Sequence, residues 1–109
     1  MQTLLQPDES LHAPHLLDIE FTHVLRRLVH GRMIEPPLAR QALGDLADLR
    51  LVRHSHTTLL PRIWELRSSL TAYDASYVAL AEFLELPLFT CDAKLARSHG
   101  HGVEIVLLN

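Results

Sequence analysis

Leu70-Thr71-Ala72-Tyr73-Asp74-Ala75-Ser76-Tyr77-Val78-Ala79-Leu80-Ala81 leads into a helix, Asp74 to Glu85, that is apolar on almost every side. Thr71 and Asp74, three positions apart, resemble a capping pair at a helix start, and a carboxylate in a first turn suits the helix dipole. A helix that is apolar all round belongs inside a molecule. Directly after it, Pro87-Leu88-Phe89-Thr90 reads as a short buried strand. Asp92 to Arg97 then makes one or two helical turns, which Gly100 and Gly102 break, and Val103 to Leu108 is a final strand.

Working upstream, Thr58 to Ser68, with Leu59, Leu60, Ile63, Trp64 and Leu66, reads as a helix preceded by a short strand at Leu51-Val52. Another helix starts at Pro36-Pro37, where proline suits the first turn, and runs through Ala42, Leu43 and Leu46 to about Leu49. From His15 to His30 the residues Leu17, Phe21, Val24, Leu25 and Leu28 recur at helical spacing, and Gly31 supplies the stop. Leu11-His12-Ala13-Pro14 is a short extended stretch, and residues 1–10, with Pro7, Asp8 and Ser10, read as a loose lead-in. Strands alternating with helices at these spacings predict an α/β fold with a mainly parallel, short-stranded sheet flanked by helices.

A chain of 109 residues has room for one domain, expected over residues 11–109 after the lead-in. With 48% hydrophobic and 21% charged residues it reads as globular, not disordered. A formal charge of −3 gives no global reason to bind a polyanion, so a nucleic acid would need a local basic patch. The single Cys91 excludes a disulfide framework and a cysteine-rich zinc site within one chain. No apolar run approaches the roughly 20 residues that cross a bilayer. Met1 to Asp8 lacks a basic region followed by a long apolar stretch, so the expected location is the cytoplasm, with no membrane partner.

Three acidic residues stand apart from the solvated majority. Glu20 falls on the stripe of Leu17, Phe21, Val24 and Leu28, where a carboxylate costs free energy unless paired or bound to a cation. Asp74 lies in the first turn of the buried helix, and Asp92 follows a strand and opens a short helix. Each aspartate taken alone is explained by capping. Jointly they point elsewhere, because strand ends and helix starts of a parallel sheet share one edge, where ligands bind. Clustered carboxylates repel one another, and a hard divalent cation, Mg²⁺ or Mn²⁺, is the usual remedy.

The segment Leu70 to Ala81 resembles the stretch holding the third acidic residue of PIN domains of the VapC toxin type. Pro87-Leu88-Phe89-Thr90-Cys91-Asp92-Ala93-Lys94-Leu95 is similar to the strand and turn carrying the fourth, and His12-Ala13-Pro14-His15-Leu16-Leu17-Asp18-Ile19-Glu20, followed by Val24-Leu25-Arg26-Arg27, to the stretch with the second. The resemblance spans residues 10 to 109 and implies a metal-dependent endoribonuclease, the toxin of a toxin–antitoxin pair, with RNA as substrate. Carried over, Glu20, Asp74 and Asp92 are the catalytic and metal-binding residues, with Thr90 or Ser76 bonded within the site. Arg26, Arg27, Lys94 and Arg97 are then candidates for contacts with the RNA backbone, although helix arginines are more often simply solvated.

The chain departs from the family pattern at its start. Family members open with an apolar strand ending in an aspartate, whereas nothing before Leu11 reads as such a strand and Asp8 reads as a loop residue. A lost central strand is expected to expose sheet edges and favour dimerisation. The rival reading is a catalytically impaired PIN remnant that binds a paralogous toxin or an antitoxin. The pairs His54/His56 and His99/His101 supply too few ligands for a zinc site and read as loop histidines. Cys91 reads as a small apolar residue, and Trp64 with Leu60 and Ile63 as core or a partner surface.

Overall fold

A computed structural model describes residues 2–5 and 10–108, with side chains from residue 10 onward. The elements are β1 (Gln2–Leu5), β2 (Leu11–Pro14), α1 (Leu16–His30), α2 (Pro36–Asp48), β3 (Leu51–His54), α3 (Leu60–Glu65), α4 (Ala72–Leu84), β4 (Leu88–Thr90), α5 (Ala93–Ala96) and β5 (Ile105–Leu107). The five strands form one sheet in the order β3-β2-β1-β4-β5. β2 and β3 pair in parallel, as do β4 and β5, while β1 is antiparallel to both β2 and β4. Four strands therefore run the same way, and the fold is α/β and PIN-like, as expected.

The segment expected as a loose lead-in is corrected. Gln2–Leu5 forms the central strand, pairing Leu4 with His12 on one side and with Leu88 on the other. The reason is non-local: β2 and β4 present facing rows of backbone donors and acceptors, and a third backbone between them satisfies both. The inner edges expected to be exposed are thereby paired. β1 runs against its neighbours, so its first residue, not its last, sits at the level of Thr90. Asp8 lies outside the described residues.

α4 is the element on which the core is built. Every residue from Ala75 to Ala81 is buried, and Leu17, Leu59, Leu66, Leu88 and Leu95 pack around it. Glu85 ends the helix in the left-handed conformation, at φ 56°, and the short link through Pro87 returns the chain to β4. α4 thus runs antiparallel to β4, and its first turn lies at the edge where β4 ends.

Two helical expectations shift. The predicted helix over 58–68 is a 3₁₀ turn, Thr57–Leu59, followed by α3, because Pro61 starts a new helical turn. Trp64 is outside the core, 66% exposed, with the Arg67 guanidinium 4.4 Å from its ring centre. On α1, Leu17 and Leu25 are buried but Val24 is exposed, since the second half of this helix packs on α2. No helix among the described residues is long and apolar enough to cross a membrane.

Candidate active site

β2 and β4 point the same way on either side of β1, so their carboxyl ends lie at one sheet edge, about 10 Å apart for two strand spacings. β2 delivers the chain through His15 into α1, which carries Glu20. β4 delivers it through Cys91 to Asp92. The link from α4 to β4 sets the first turn of α4, with Asp74, at the same edge. Topology therefore brings all three predicted acids to one end of the sheet.

Tyr77 bonds Glu20 and lies one turn beyond Asp74 on α4. The Tyr77 hydroxyl donates a hydrogen bond to Glu20 Oε1. Burial, then the Glu20 carboxylate, then the charges of Asp74 and Asp18 hold the phenol well above its ordinary range. It therefore stays protonated, as a donor. Glu20 is half-buried, which is how a carboxylate on a core-facing stripe is tolerated: a phenol meets it there.

Both aspartates also do what capping predicts. Thr71 Oγ1 accepts the Asp74 backbone N–H at 3.1 Å. Asp92 caps α5, its Oδ1 accepting the Lys94 N–H at 2.9 Å and the Leu95 N–H at 3.3 Å. Thr90 is wholly buried and its Oγ1 accepts the Asp92 N–H at 3.0 Å, so the strand end fixes the backbone of that aspartate. Ser76 does not serve the site in this way; its hydroxyl donates to Tyr73 O at 2.6 Å within α4.

Two contributors escaped sequence reasoning. Tyr77 reads in the sequence as one residue of an apolar helix, although its place three residues after Asp74 puts both on one face of α4. Arg53, on β3, donates Nε and Nη2 to Asp18 at 2.6 and 2.9 Å, which pins the first turn of α1 and holds the Asp18 carboxyl below the usual range. No local signal announces that pair.

The basic candidates Arg26, Arg27, Lys94 and Arg97 are all exposed. Of the paired histidines, His54 lies in β3 and not in a loop, with its Nε2 2.9 Å from His12 Nδ1. Cys91 is exposed, contrary to its reading as a buried apolar residue. Among the described residues no three His, Cys, Asp or Glu side chains converge closely enough to hold a metal ion. The donor set at this edge is nevertheless hard oxygen. That chemistry fits Mg²⁺ or Mn²⁺, which bind through one or two carboxylates and keep several waters.

The chain is similar to several ribonucleases of Mycobacterium tuberculosis. It is 46% identical to ribonuclease VapC9 over 88 residues, covering 81% of this chain and 69% of that protein. It is 46% identical to ribonuclease VapC1 over 98 residues, 89% of this chain and 74% of that one. To ribonuclease VapC12 it is 38% identical over 100 residues, 92% and 78% of the two chains. No family model matches the chain. No solved structure matches it.

Proposed function

The chain belongs to the VapC ribonuclease family, and from that membership we propose that it is the metal-dependent endoribonuclease of a toxin–antitoxin pair, with Glu20, Asp74 and Asp92 as its catalytic carboxylates. The observation that supports this assignment is the Tyr77–Glu20 hydrogen bond, which ties α1 to the helix whose first turn carries Asp74, at the sheet edge where the chain leaves β4 for Asp92. A hard divalent cation with oxygen ligands is the partner that would offset the charge of these carboxylates.

In this reading Glu20, Asp74 and Asp92 hold Mg²⁺ or Mn²⁺, in part through water. Such an ion activates water and offsets charge on a phosphate during in-line displacement. The protein's own part is to fix the carboxylates. Tyr77 holds Glu20, Thr71 caps the turn that carries Asp74, and Thr90 anchors the backbone of Asp92. Arg26, Arg27, Lys94 and Arg97 supply local positive charge for an RNA backbone, which the net charge of −3 does not.

The proposal includes a cytoplasmic homodimer and an antitoxin partner. Supporting a protein partner is the apolar groove of about 410 Å³ between the start of α1 and α3, lined by Leu16, Ile19, Leu60, Ile63 and Tyr73. The decisive test is cleavage of a mixed RNA pool by the purified chain with Mg²⁺, with Mn²⁺ and with EDTA, beside Asp74→Asn. Metal-dependent cutting that disappears in the variant is expected. A folded chain that cuts no RNA with either metal would overturn the enzymatic reading.

A further inference from the structure

We infer that Tyr77 is a positioning residue, whose buried hydroxyl holds the Glu20 carboxylate in the orientation a divalent cation needs. This rests on the reading of Glu20 as a metal ligand given above.

The two partners differ in mobility. The Tyr77 ring has no solvent exposure and packs within the cluster of Ala13, Leu17, Val78 and Leu88. Close packing of that kind locks a side chain with two torsions into one rotamer. Glu20 has three torsions and is half-buried, so its carboxylate left alone would sample several positions. The hydroxyl-to-Oε1 bond ties this mobile end to the immobile ring.

The bond also joins elements. Glu20 is on α1 and Tyr77 is on α4, 57 residues later in the chain. Asp74 precedes Tyr77 by three residues on the same helix face. One phenol therefore sets the α1 carboxylate against the helix that carries the second acid. The bond falls on one oxygen of Glu20, so it fixes that end of the carboxylate and leaves the second oxygen for a cation. Asp18 is anchored separately, by Arg53, so the start of α1 is held at two points. A partner that orients a metal-binding carboxylate is expected to change affinity about 10- to 100-fold when removed.

The test measures Mn²⁺ binding to the full chain by titration calorimetry, without RNA. Tyr77→Phe keeps the packed ring and removes the hydroxyl. Its Kd for Mn²⁺ is expected to rise about tenfold, with far-UV circular dichroism unchanged. RNA cleavage at saturating Mn²⁺ should recover most of its rate, since the defect is in holding the ion. Added to Glu20→Gln, Tyr77→Phe should have no further effect on Mn²⁺ binding, which a merely structural role would not predict. If Tyr77→Phe loses its fold, Tyr77→Met takes its place: it removes the same hydroxyl, fills the site with an adaptable apolar side chain, and should weaken binding to the same degree. Unchanged Mn²⁺ affinity in the folded variant, with binding lost in Glu20→Gln, would overturn the role of Tyr77 and leave the site standing. Unchanged affinity in Glu20→Gln and Asp74→Asn alike would remove both.

Discussion

Asp18 in the first turn of α1 and Arg53 in β3 are locked together by two hydrogen bonds, at 2.6 and 2.9 Å, across 35 residues of sequence. The fork of the guanidinium matches the two carboxylate oxygens, a geometry that lysine cannot reproduce. Because Glu20 lies two residues beyond Asp18, this pair sets where α1 begins and hence where Glu20 stands.

Replacing Arg53 by Met should cost about 1 kcal/mol, since both partners are partly exposed and solvent screens the pair. In a domain of this size that lowers Tm by about 5 °C. The pair also shapes the acid limb of stability. Arg53 depresses the folded pKa of Asp18, so its contribution is present above the ordinary aspartate value, about 4, and is lost as pH falls through the folded value. Urea unfolding between pH 5 and pH 2.5 should show a shallower acid loss in Arg53→Met than in the parent chain. Parallel curves would show that the pair carries no such linkage.

What the sequence made legible was local. α4 could be placed because its apolar run leaves no polar face, and Thr71 with Asp74 could be paired because capping spans three residues. The extended stretches at Leu11–Pro14 and Pro87–Thr90 likewise announce themselves by composition and neighbouring prolines. β1 could not be read, because four residues become a strand through the edges of β2 and β4, which sequence patterning does not display. The partners of the candidate site were hidden for the same reason: Tyr77 finds Glu20, and Arg53 finds Asp18, only after the helices have packed on the sheet. Asp74 and Asp92 were legible from a helix start and a strand end, and Glu20 from its place on an apolar stripe, while the phenol that bonds Glu20 was not.

Asp92 offers a way to separate capping from chemistry. Its Oδ1 accepts two backbone N–H groups of α5, a task that asparagine performs as well as aspartate. Asp92→Asn should therefore keep the stability of the parent to within about 0.3 kcal/mol, since aspartate and asparagine rank almost equally as caps. Asp92→Ala should lose about 1 kcal/mol. If the carboxylate also holds the cation, both variants should lose metal-dependent RNA cleavage alike. Retained cleavage in Asp92→Asn would confine Asp92 to the cap.

His54 predicts a second pH dependence, nearer neutrality. Burial first, then the charges of His12 and His15, lowers its pKa in the fold. The bond to His12 requires one neutral ring as acceptor. The contribution is therefore present above the ordinary histidine value of about 6.5 and lost as pH falls through the folded value. Thermal unfolding should show lower stability at pH 5.5 than at pH 7.5. His54→Gln should reduce that difference without abolishing it, since His101 is shifted the same way by burial. An unchanged difference would place the pH dependence elsewhere.

Glu85 sits at the C-terminal end of α4 with φ 56° and ψ 45°, where a side chain crowds the backbone. Its N–H bonds the Glu82 carbonyl and the following Leu86 N–H bonds the Ala81 carbonyl, so the strained residue is what lets the helix end and the chain turn toward β4. Glycine adopts this conformation freely, at the cost of more chain entropy in the unfolded state. The balance favours the substitution by about 0.5–1 kcal/mol, because relief of the left-handed strain exceeds the entropy term. Glu85→Gly should raise Tm by a few degrees, about 3–5 °C. Since the residue lies at the opposite end of α4 from Asp74, RNA cleavage should be unaffected. A lower Tm would mean that the carboxylate of Glu85 contributes more to the fold than its backbone strain removes.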